Sequence, residues 1–260
     1  MQIKANGITF NYRVDGVDNA PWLIFSNSLA THLTMWDPQA AHLARSFRVL
    51  RYDQRGHGKT EAPAGRYPFD TLLADAIALM DALAIKRAHF CGLSLGGATA
   101  MGLAERHPDR FDRIVVCDSP CASSPASAAQ WEERIVIAQK EGMAALADST
   151  LSRWFPSEIL GANPPHIAKV REMILTTPVN GFVGCSAALA DHDFRSAAGT
   201  VTKPVLFLAG EKDGTNAAAM RQLQTQTPGS HYVELSGAGH ISNLDRPAEF
   251  TQAMEQFLKS

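Results

Sequence analysis

The chain has little of several features that would assign it to a specialised class of protein. Its 260 residues include only four cysteines, and none of them has the Cys-x-x-Cys spacing of redox or zinc motifs. Because no further cysteine or histidine cluster completes the pair Cys117 and Cys121, we expect no metal site. A formal charge of only -2 gives no reason to expect nucleic acid or an anionic membrane as a partner.

Long apolar runs are missing too. Nothing approaches the roughly 18 apolar residues of a membrane span. The first seven residues also lack the apolar stretch and small-residue cleavage site of a signal peptide. We therefore expect a cytoplasmic protein that acts on a small molecule and needs no cofactor. The oligomeric state, a homodimer included, stays open at this point.

What the sequence does contain is an alternation of short apolar runs with helical patterns. Continuous apolar runs at 22–25 and 204–210 are typical of strands covered on both faces, and apolar residues recur at helical spacing over 69–83. This alternation predicts an α/β fold with a mostly parallel, doubly wound sheet. In such a sheet, the ligand site lies beyond the carboxyl ends of the strands.

Three local signals refine this expectation. Asn6-Gly7 predicts a hairpin turn in an antiparallel edge ribbon, and Asp37-Pro38 predicts a helix start with Asp37 as its N-cap. Over 121–195 the alternation gives way to segments rich in Ala, Glu and Arg, punctuated by prolines. We expect a helical lid there, inserted between two parts of one core, residues 1–120 and 196–260.

The motif around which the chain is organised is the pentapeptide Gly-Leu-Ser-Leu-Gly at 92–96. It follows a short apolar strand and precedes a helix of small residues, which is the context of a nucleophile elbow. Gly92 and Gly96 are required there because a side chain at either position would collide with a neighbouring strand or helix. Ser94 is therefore the predicted nucleophile.

A serine hydroxyl needs a base, and the base needs an acid that holds its tautomer. In this type of fold the chain order is Ser, then acid, then His. His240 follows the last strand through a glycine loop and is the predicted base, whereas His57 lies in an earlier turn and is interpreted as structural. Asp213 is the favoured acid, and Asp118, at the end of the preceding core strand, is the rival.

The anion that forms on the attacked carbonyl needs backbone donors already aimed at it. The amide of Leu95, directly after the nucleophile, is the first predicted donor. The amide of Ser28, in the loop after the strand at 22–25, is the second.

These motifs, together with YDQRGHG at 52–58, GEKD at 210–213 and Gly239-His240, resemble the α/β-hydrolase superfamily over nearly the whole chain. The phrases SNSLAT at 26–31, MWD at 35–37, DFR at 193–195 and HISN at 240–243 resemble the 3-oxoadipate enol-lactonases within it. Asn27 and Ala30 depart from the resemblance, since glycine is expected at both positions. The resemblance implies a mostly parallel eight-stranded sheet with an inserted helical lid.

The resemblance also implies a reaction, in which His240 deprotonates Ser94 and an acyl-serine forms as the enol-lactone ring opens to 3-oxoadipate. The substrate carboxylate then requires a cation in the lid. Arg134, Arg153 and Arg195 are available, with Trp131 and Trp154 as walls. Trp131 and Arg134 are preferred because residues three apart share a helix face.

Three alternatives remain. The same three residues would serve a carboxylesterase or a carbon–carbon bond hydrolase. Outside enzymes, a ligand receptor can be built on this fold.

Overall fold

The computed structural model describes residues 1–260, and its centre is one sheet of eight strands in the order β1-β2-β4-β3-β5-β6-β7-β8. The pairs β1–β2 and β2–β4 are antiparallel, and all other pairs are parallel. The predicted mostly parallel eight-stranded sheet is therefore confirmed. The strands are β1 Gln2–Ala5, β2 Ile8–Gly16, β3 Trp22–Ser26, β4 Arg48–Tyr52, β5 Ala88–Leu93, β6 Phe111–Cys117, β7 Val205–Gly210 and β8 His231–Leu235.

Twelve α-helices surround the sheet or connect its strands, and two short 3-10 helices lie at Leu33–Trp36 and Pro108–Arg110. The α-helices are α1 Asp37–Leu43, α2 Phe69–Ala82, α3 Leu95–Arg106, α4 Pro125–Glu141, α5 Ala144–Trp154, α6 Ser157–Ala162, α7 Pro165–Thr176, α8 Val179–Asp191, α9 Arg195–Thr200, α10 Thr215–Thr225, α11 Ser242–Asp245 and α12 Pro247–Lys259.

Burial of the strands follows their sequence patterns. Every residue of β5 and of β7 is buried, as expected for apolar strands with helices on both faces. In the hairpin between β1 and β2, Asn6 and Gly7 have φ values of +42° and +78°. Two consecutive positive φ values suit the two-residue hairpin turn that this dipeptide predicts.

The carboxyl ends of the parallel strands gather the predicted site residues. Ser94 directly follows β5 and Asp118 directly follows β6, while Asp213 and His240 lie in the loops after β7 and β8. Parallel strands end at the same edge of a sheet, so these four residues converge although they are far apart in the sequence.

The segment between β6 and α9 is built from the five helices α4 to α8. The helix α8 lies so close to the core that a Cβ on Gly181 would be 1.8 Å from the carbonyl oxygen of Gly56. This backbone-to-backbone contact joins the helical segment to the turn after β4. The division into a core and a lid at residues 121 and 195 remains a prediction. No single helix is long and apolar enough to cross a membrane, and α7 with α8 meets that test only as a pair bent by 98°.

The predicted N-cap role of Asp37 is wrong. Helix α1 starts at Asp37 itself, with Trp36 in the cap position and no side-chain cap. The Asp37 carboxylate instead accepts hydrogen bonds from Arg51 at 2.6 Å and from Lys169 of α7 at 2.8 Å. Two cationic partners bind a carboxylate more strongly than one backbone amide, so tertiary structure overrides the local signal.

Candidate active site

Ser94 lies in a strained turn between β5 and α3. Its φ of +57° and ψ of -112° belong to a region that residues with a side chain rarely occupy. Its amide donates to the carbonyl oxygen of Cys117 at 2.9 Å, and its own carbonyl accepts from Ala98 at 2.9 Å. These bonds hold the strained conformation, which is the geometry that a nucleophile elbow requires.

The two glycines of the elbow are needed for close approach. A Cβ on Gly92 would be 1.9 Å from the carbonyl oxygen of Gly96, and a Cβ on Gly96 would be 2.2 Å from that of Ser26 in β3. No side chain fits at such distances. A side chain at either position would therefore collide with neighbouring backbone, as the sequence predicts.

His240 and Asp213 form a buried hydrogen-bonded pair. The Nδ1 atom of His240 lies 3.0 Å and 2.9 Å from the two carboxylate oxygens of Asp213. Asn216, at the start of α10, donates to Asp213 Oδ2 at 3.1 Å and helps to hold the carboxylate. With Nδ1–H donating to Asp213, Nε2 keeps its lone pair and is free to accept a proton.

The rival acid Asp118 has other partners. It is fully buried, accepts from the amide of Gly210 at 2.7 Å, and forms a short hydrogen bond with the Ser242 hydroxyl. Burial raises the pKa of Asp118 well above its ordinary value, and the nearby Asp213 carboxylate adds to the rise. Asp118 therefore links the loops that carry Asp213 and His240 without contacting the imidazole.

The loop after β3 is fastened to the elbow. The amide of Gly96 donates to the carbonyl oxygen of Asn27 at 3.2 Å, so Ser28 follows directly on the point of contact. Neither the Ser28 amide nor the Leu95 amide, the first of α3, donates a hydrogen bond to a protein acceptor. Two free amides beside a strained serine are what an anion forming on a carbonyl oxygen needs.

His57 holds the loop after β3 through a hydrogen bond to its backbone, which is a structural role. The amide of Ala30 donates to Nε2 of His57 at 2.9 Å, so the proton sits on Nδ1, which donates to the carbonyl oxygen of Arg55 at 3.0 Å. Ala30 has a φ of +56°, which explains why glycine is expected at this position. Burial lowers the pKa of His57 from 6.5 to about 4.

This pKa shift predicts a pH dependence of stability. The unfolded chain binds a proton at His57 below about pH 6.5 and the folded chain only near pH 4, so the contribution to folding is complete above pH 6.5. It declines by up to about 3 kcal/mol as the pH falls through that window. Denaturant unfolding at several pH values should give a flatter profile for His57→Gln than for the wild type. Parallel profiles would contradict the prediction.

Ser94 and His240 line one small cavity of about 100 Å³. Helices α4 and α5 contribute Trp131, Arg153 and Trp154 to its wall, and the remaining lining residues are Leu29, Asp118, Ser119, Pro120, Ser127, Leu189, His192 and Asn216. A larger cleft of about 790 Å³ lies between α2, α4 and α8 but contains neither Ser94 nor His240. The small cavity is the candidate active site because it holds the reactive groups.

Trp154 contacts His240 in two ways. Its indole ring stacks on the imidazole, with ring centroids 5.8 Å apart and planes at 30°. Its carbonyl oxygen also accepts from the His240 amide at 2.7 Å. The last residue of α5 thus forms part of the cavity wall, as predicted for Trp154, and holds the histidine loop.

The structure does not place Arg134, the arginine preferred for the substrate carboxylate, at the cavity. Arg134 does not line the cavity: its guanidinium donates to Thr150 at 2.5 Å and lies 6.0 Å from the centroids of the Trp131 and Phe182 rings. Burial lowers the pKa of Arg134 to about 10, and repulsion from Arg153 adds to the shift. A shared helix face indicates which residues are neighbours, but it does not indicate which of them points into a cavity.

Arg153, on α5, lines the cavity that Arg134 does not reach. Its guanidinium lies 5.4 Å from the centroid of the Trp131 ring and forms no hydrogen bond or ion pair with the protein. The residue as a whole is exposed, yet partial desolvation of the guanidinium lowers the pKa of Arg153, an effect that the negative charge of Asp213 opposes. Arg195, the third arginine considered, is exposed and paired with Asp193 outside the cavity.

Two residues of the site were missed by the sequence analysis. Asn216 follows Asp213 by three positions, and an amide at that spacing in a turn leading into a helix was a usable signal. His192 lines the cavity from the end of α8, and its Nδ1 lies 2.8 Å from the carbonyl oxygen of Leu189. Nothing in its sequence neighbourhood marks it.

The fold and this site define an enzyme class. The chain belongs to the α/β-hydrolase family, whose sequence profile, described as alpha/beta hydrolase fold, matches residues 21–247. Together with the relatives below, this membership makes the protein a hydrolase.

The more specific similarities are to enol-lactonases. A 3-oxoadipate enol-lactonase of Acinetobacter baylyi is 34% identical over 257 residues, which are 99% of this chain and 96% of that protein. The crystal structure of an enol-lactonase from Burkholderia xenovorans has a TM-score of 0.96 and 42% identity, with full coverage of both chains. A more distant relative, provisionally named a carbamate hydrolase of Stutzerimonas stutzeri, is 28% identical over 91% of each chain.

Proposed function

We propose that the protein opens the lactone ring of 3-oxoadipate enol-lactone through an acyl-serine intermediate. The observation that carries the proposal is the combination of groups in one small cavity. Ser94 and His240, whose imidazole is hydrogen-bonded to Asp213, share the cavity with an unpaired arginine, Arg153. The relatives named as enol-lactonases support the choice of a lactone over other carboxylic esters.

In the proposed mechanism, Nε2 of His240 takes the proton of Ser94 as Oγ attacks the lactone carbonyl carbon. The resulting oxyanion accepts hydrogen bonds from the amides of Leu95 and Ser28. Asp213 stabilises the imidazolium and keeps its orientation. The ring C–O bond then breaks, and the enolate oxygen receives the proton from His240.

Deacylation repeats these steps with water as the nucleophile. His240 deprotonates a water that attacks the acyl-serine, the same two amides hold the second oxyanion, and Ser94 leaves with the proton. The released enol tautomerises to the 3-oxo acid. An enolate is a better leaving group than a simple alkoxide, so protonation of the leaving oxygen is an undemanding step.

Arg153 is the proposed partner of the substrate carboxylate. Two lid guanidiniums, Arg134 and Arg153, flank the ring of Trp131, and neither has an acidic partner. Their mutual repulsion is relieved when an anion binds between the lid and Ser94. Trp131 and Trp154 supply apolar walls of the cavity beside that ion pair.

The test compares hydrolysis of 3-oxoadipate enol-lactone with that of p-nitrophenyl acetate. We expect a much higher kcat/KM for the lactone in the wild type. Arg153→Met should lower the lactone value about tenfold to a hundredfold, since a hydrogen bond to a charged group contributes about 1.5–3 kcal/mol. The neutral ester should be nearly unaffected, because it has no carboxylate to lose.

Arg195→Met is the matched control, because this lid arginine is exposed and already paired with Asp193. It should leave both substrates within about twofold of the wild type. Equal losses for lactone and ester in Arg153→Met would contradict the carboxylate subsite. Strong ester cleavage with negligible lactone opening would instead favour a carboxylesterase with the same three residues.

A further inference from the structure

Asp245, in α11, is a buried carboxylate beside the loop that carries His240. Its side chain has no solvent exposure, and burial of a charged group is costly unless hydrogen bonds compensate it. Its two oxygens have separate partners: Oδ2 accepts from the amide of Gly239 at 2.8 Å, and Oδ1 lies 3.1 Å from Nε2 of His166 in α7. Because both oxygens are bound, the orientation of the carboxylate is restrained.

The bond to Gly239 acts on the backbone that carries the predicted base, since Gly239 directly precedes His240. The next amide, that of His240, donates to the carbonyl oxygen of Trp154. A Cβ on Gly239 would be 2.3 Å from the same carbonyl oxygen, so the loop fits closely against the end of α5. Two consecutive amides with acceptors of their own restrain the backbone of His240, whereas Asp213 binds only its imidazole.

The helix that carries His166 is itself bound to the core. Lys169, three positions further along α7, donates to the Asp37 carboxylate at 2.8 Å. The His166 ring packs against Phe155 with ring centroids 5.6 Å apart, and 20% of its side chain is exposed. A donor on an anchored helix therefore restrains the Asp245 carboxylate at a defined position.

We propose that Asp245 is a positioning residue for His240 and that His166 orients Asp245 for this role. The inference rests on the proposed function in one respect, because His240 must act as the base. Neither Asp245 nor His166 lines the cavity, so both act through the backbone of the histidine loop. Proton transfer from Ser94 needs Nε2 at hydrogen-bond distance, and a displacement of about 1 Å can lower a rate about a hundredfold.

Three variants test the two residues. Asp245→Ala should lower kcat for the lactone and for p-nitrophenyl acetate about tenfold to a hundredfold, with little change in KM, because only the base is displaced. Asp245→Asn should stay within about threefold of the wild-type kcat, since its oxygen can accept from Gly239 and its amide group can donate to Nε2 of His166. His166→Ala should give a smaller loss than Asp245→Ala, because the bond to Gly239 remains.

Asp75, in α2, supplies the matched control for a loss of stability. It is also a buried carboxylate, and it is bound by Arg55 and Asn6 without lining the cavity. Asp75→Asn leaves the buried Arg55 without its ion-pair partner, so it should lower the melting temperature, as Asp245→Ala should. Assayed well below both melting temperatures, Asp75→Asn should keep kcat within about twofold of the wild type.

Proton NMR gives a readout that a loss of stability alone does not change. The Nδ1–H proton of His240 is hydrogen-bonded to Asp213 and is expected to give a signal far downfield. This signal should shift or broaden in Asp245→Ala. It should match the wild type in Asp245→Asn and Asp75→Asn.

The inference is overturned by a wild-type kcat in both Asp245→Ala and His166→Ala, or by a loss in Asp75→Asn equal to that in Asp245→Ala. If Asp245→Ala does not fold, a wild-type kcat in His166→Ala alone overturns it. If the wild type cleaves the ester but not the lactone, the lactonase proposal fails, and kcat for the ester still decides the role of Asp245. If the wild type cleaves neither substrate, both fail.

Discussion

Replacement of Ser94 by alanine should reduce lactone hydrolysis by about 10⁴-fold or more, because no acyl-enzyme can form without the nucleophile. The fold should remain intact. Alanine has the same difficulty as serine with a φ of +57°, and the backbone bonds to Cys117 and Ala98 that hold the turn do not involve the side chain. Steady-state turnover and a melting curve measured on the same preparation separate the two effects.

Other serines of the cavity supply the control for this experiment. Ser119 and Ser127 also line the wall, so either could carry the reaction if the elbow were only structural. Ser127→Ala should leave turnover within about twofold of the wild type. Retained turnover in Ser94→Ala would show that another group is the nucleophile, and a loss of turnover in Ser127→Ala would identify it.

Asp213→Asn should lower kcat by about 10³–10⁴-fold, the second largest effect that we expect. An amide facing Nδ1 of His240 no longer stabilises the imidazolium and favours the wrong tautomer of the ring. The side chain keeps its volume, and Asn216 can still bind the remaining oxygen. KM and the melting temperature should therefore change little, so the loss appears in kcat.

Asp118→Asn is the matched variant for the rival acid. Asp118 contacts Gly210 and Ser242 but not the imidazole, and an asparagine can accept from the former and donate to the latter. We expect a loss of kcat below about tenfold, because only the alignment of the loops is disturbed. A larger loss in Asp118→Asn than in Asp213→Asn would reverse the assignment of the acid.

The main features of the site could be predicted from the sequence because each is marked by a short local motif at the end of a strand. The elbow follows from two glycines on either side of Ser94, and the close approach of the backbone there leaves room for no other residue. The order of serine, acid and histidine reflects the order of the strands. The choice of Asp213 over Asp118 follows the same logic, and the contact of Asp213 with His240 supports it.

The lid could not be predicted in the same detail because its cavity wall depends on how helices pack against each other. Arg134 and Arg153 lie on different helices, α4 and α5, and both contact Trp131. The packing of these helices, together with the side-chain conformations, brings Arg153 to the cavity wall and leaves Arg134 away from it.

The hydrogen bond between Trp154 and His240 couples the position of α5 to the position of the predicted base. Helices that cover an active site can move away from the core to admit a substrate, but here α5 also holds the loop that carries His240. Raising α5 would remove the carbonyl oxygen that holds the His240 amide at 2.7 Å and the indole that covers the imidazole. Opening the site in this way would therefore also displace His240, the predicted base. We therefore expect α5 to stay in place during turnover, and a helical segment redesigned for a larger substrate to need Trp154 kept at the end of α5.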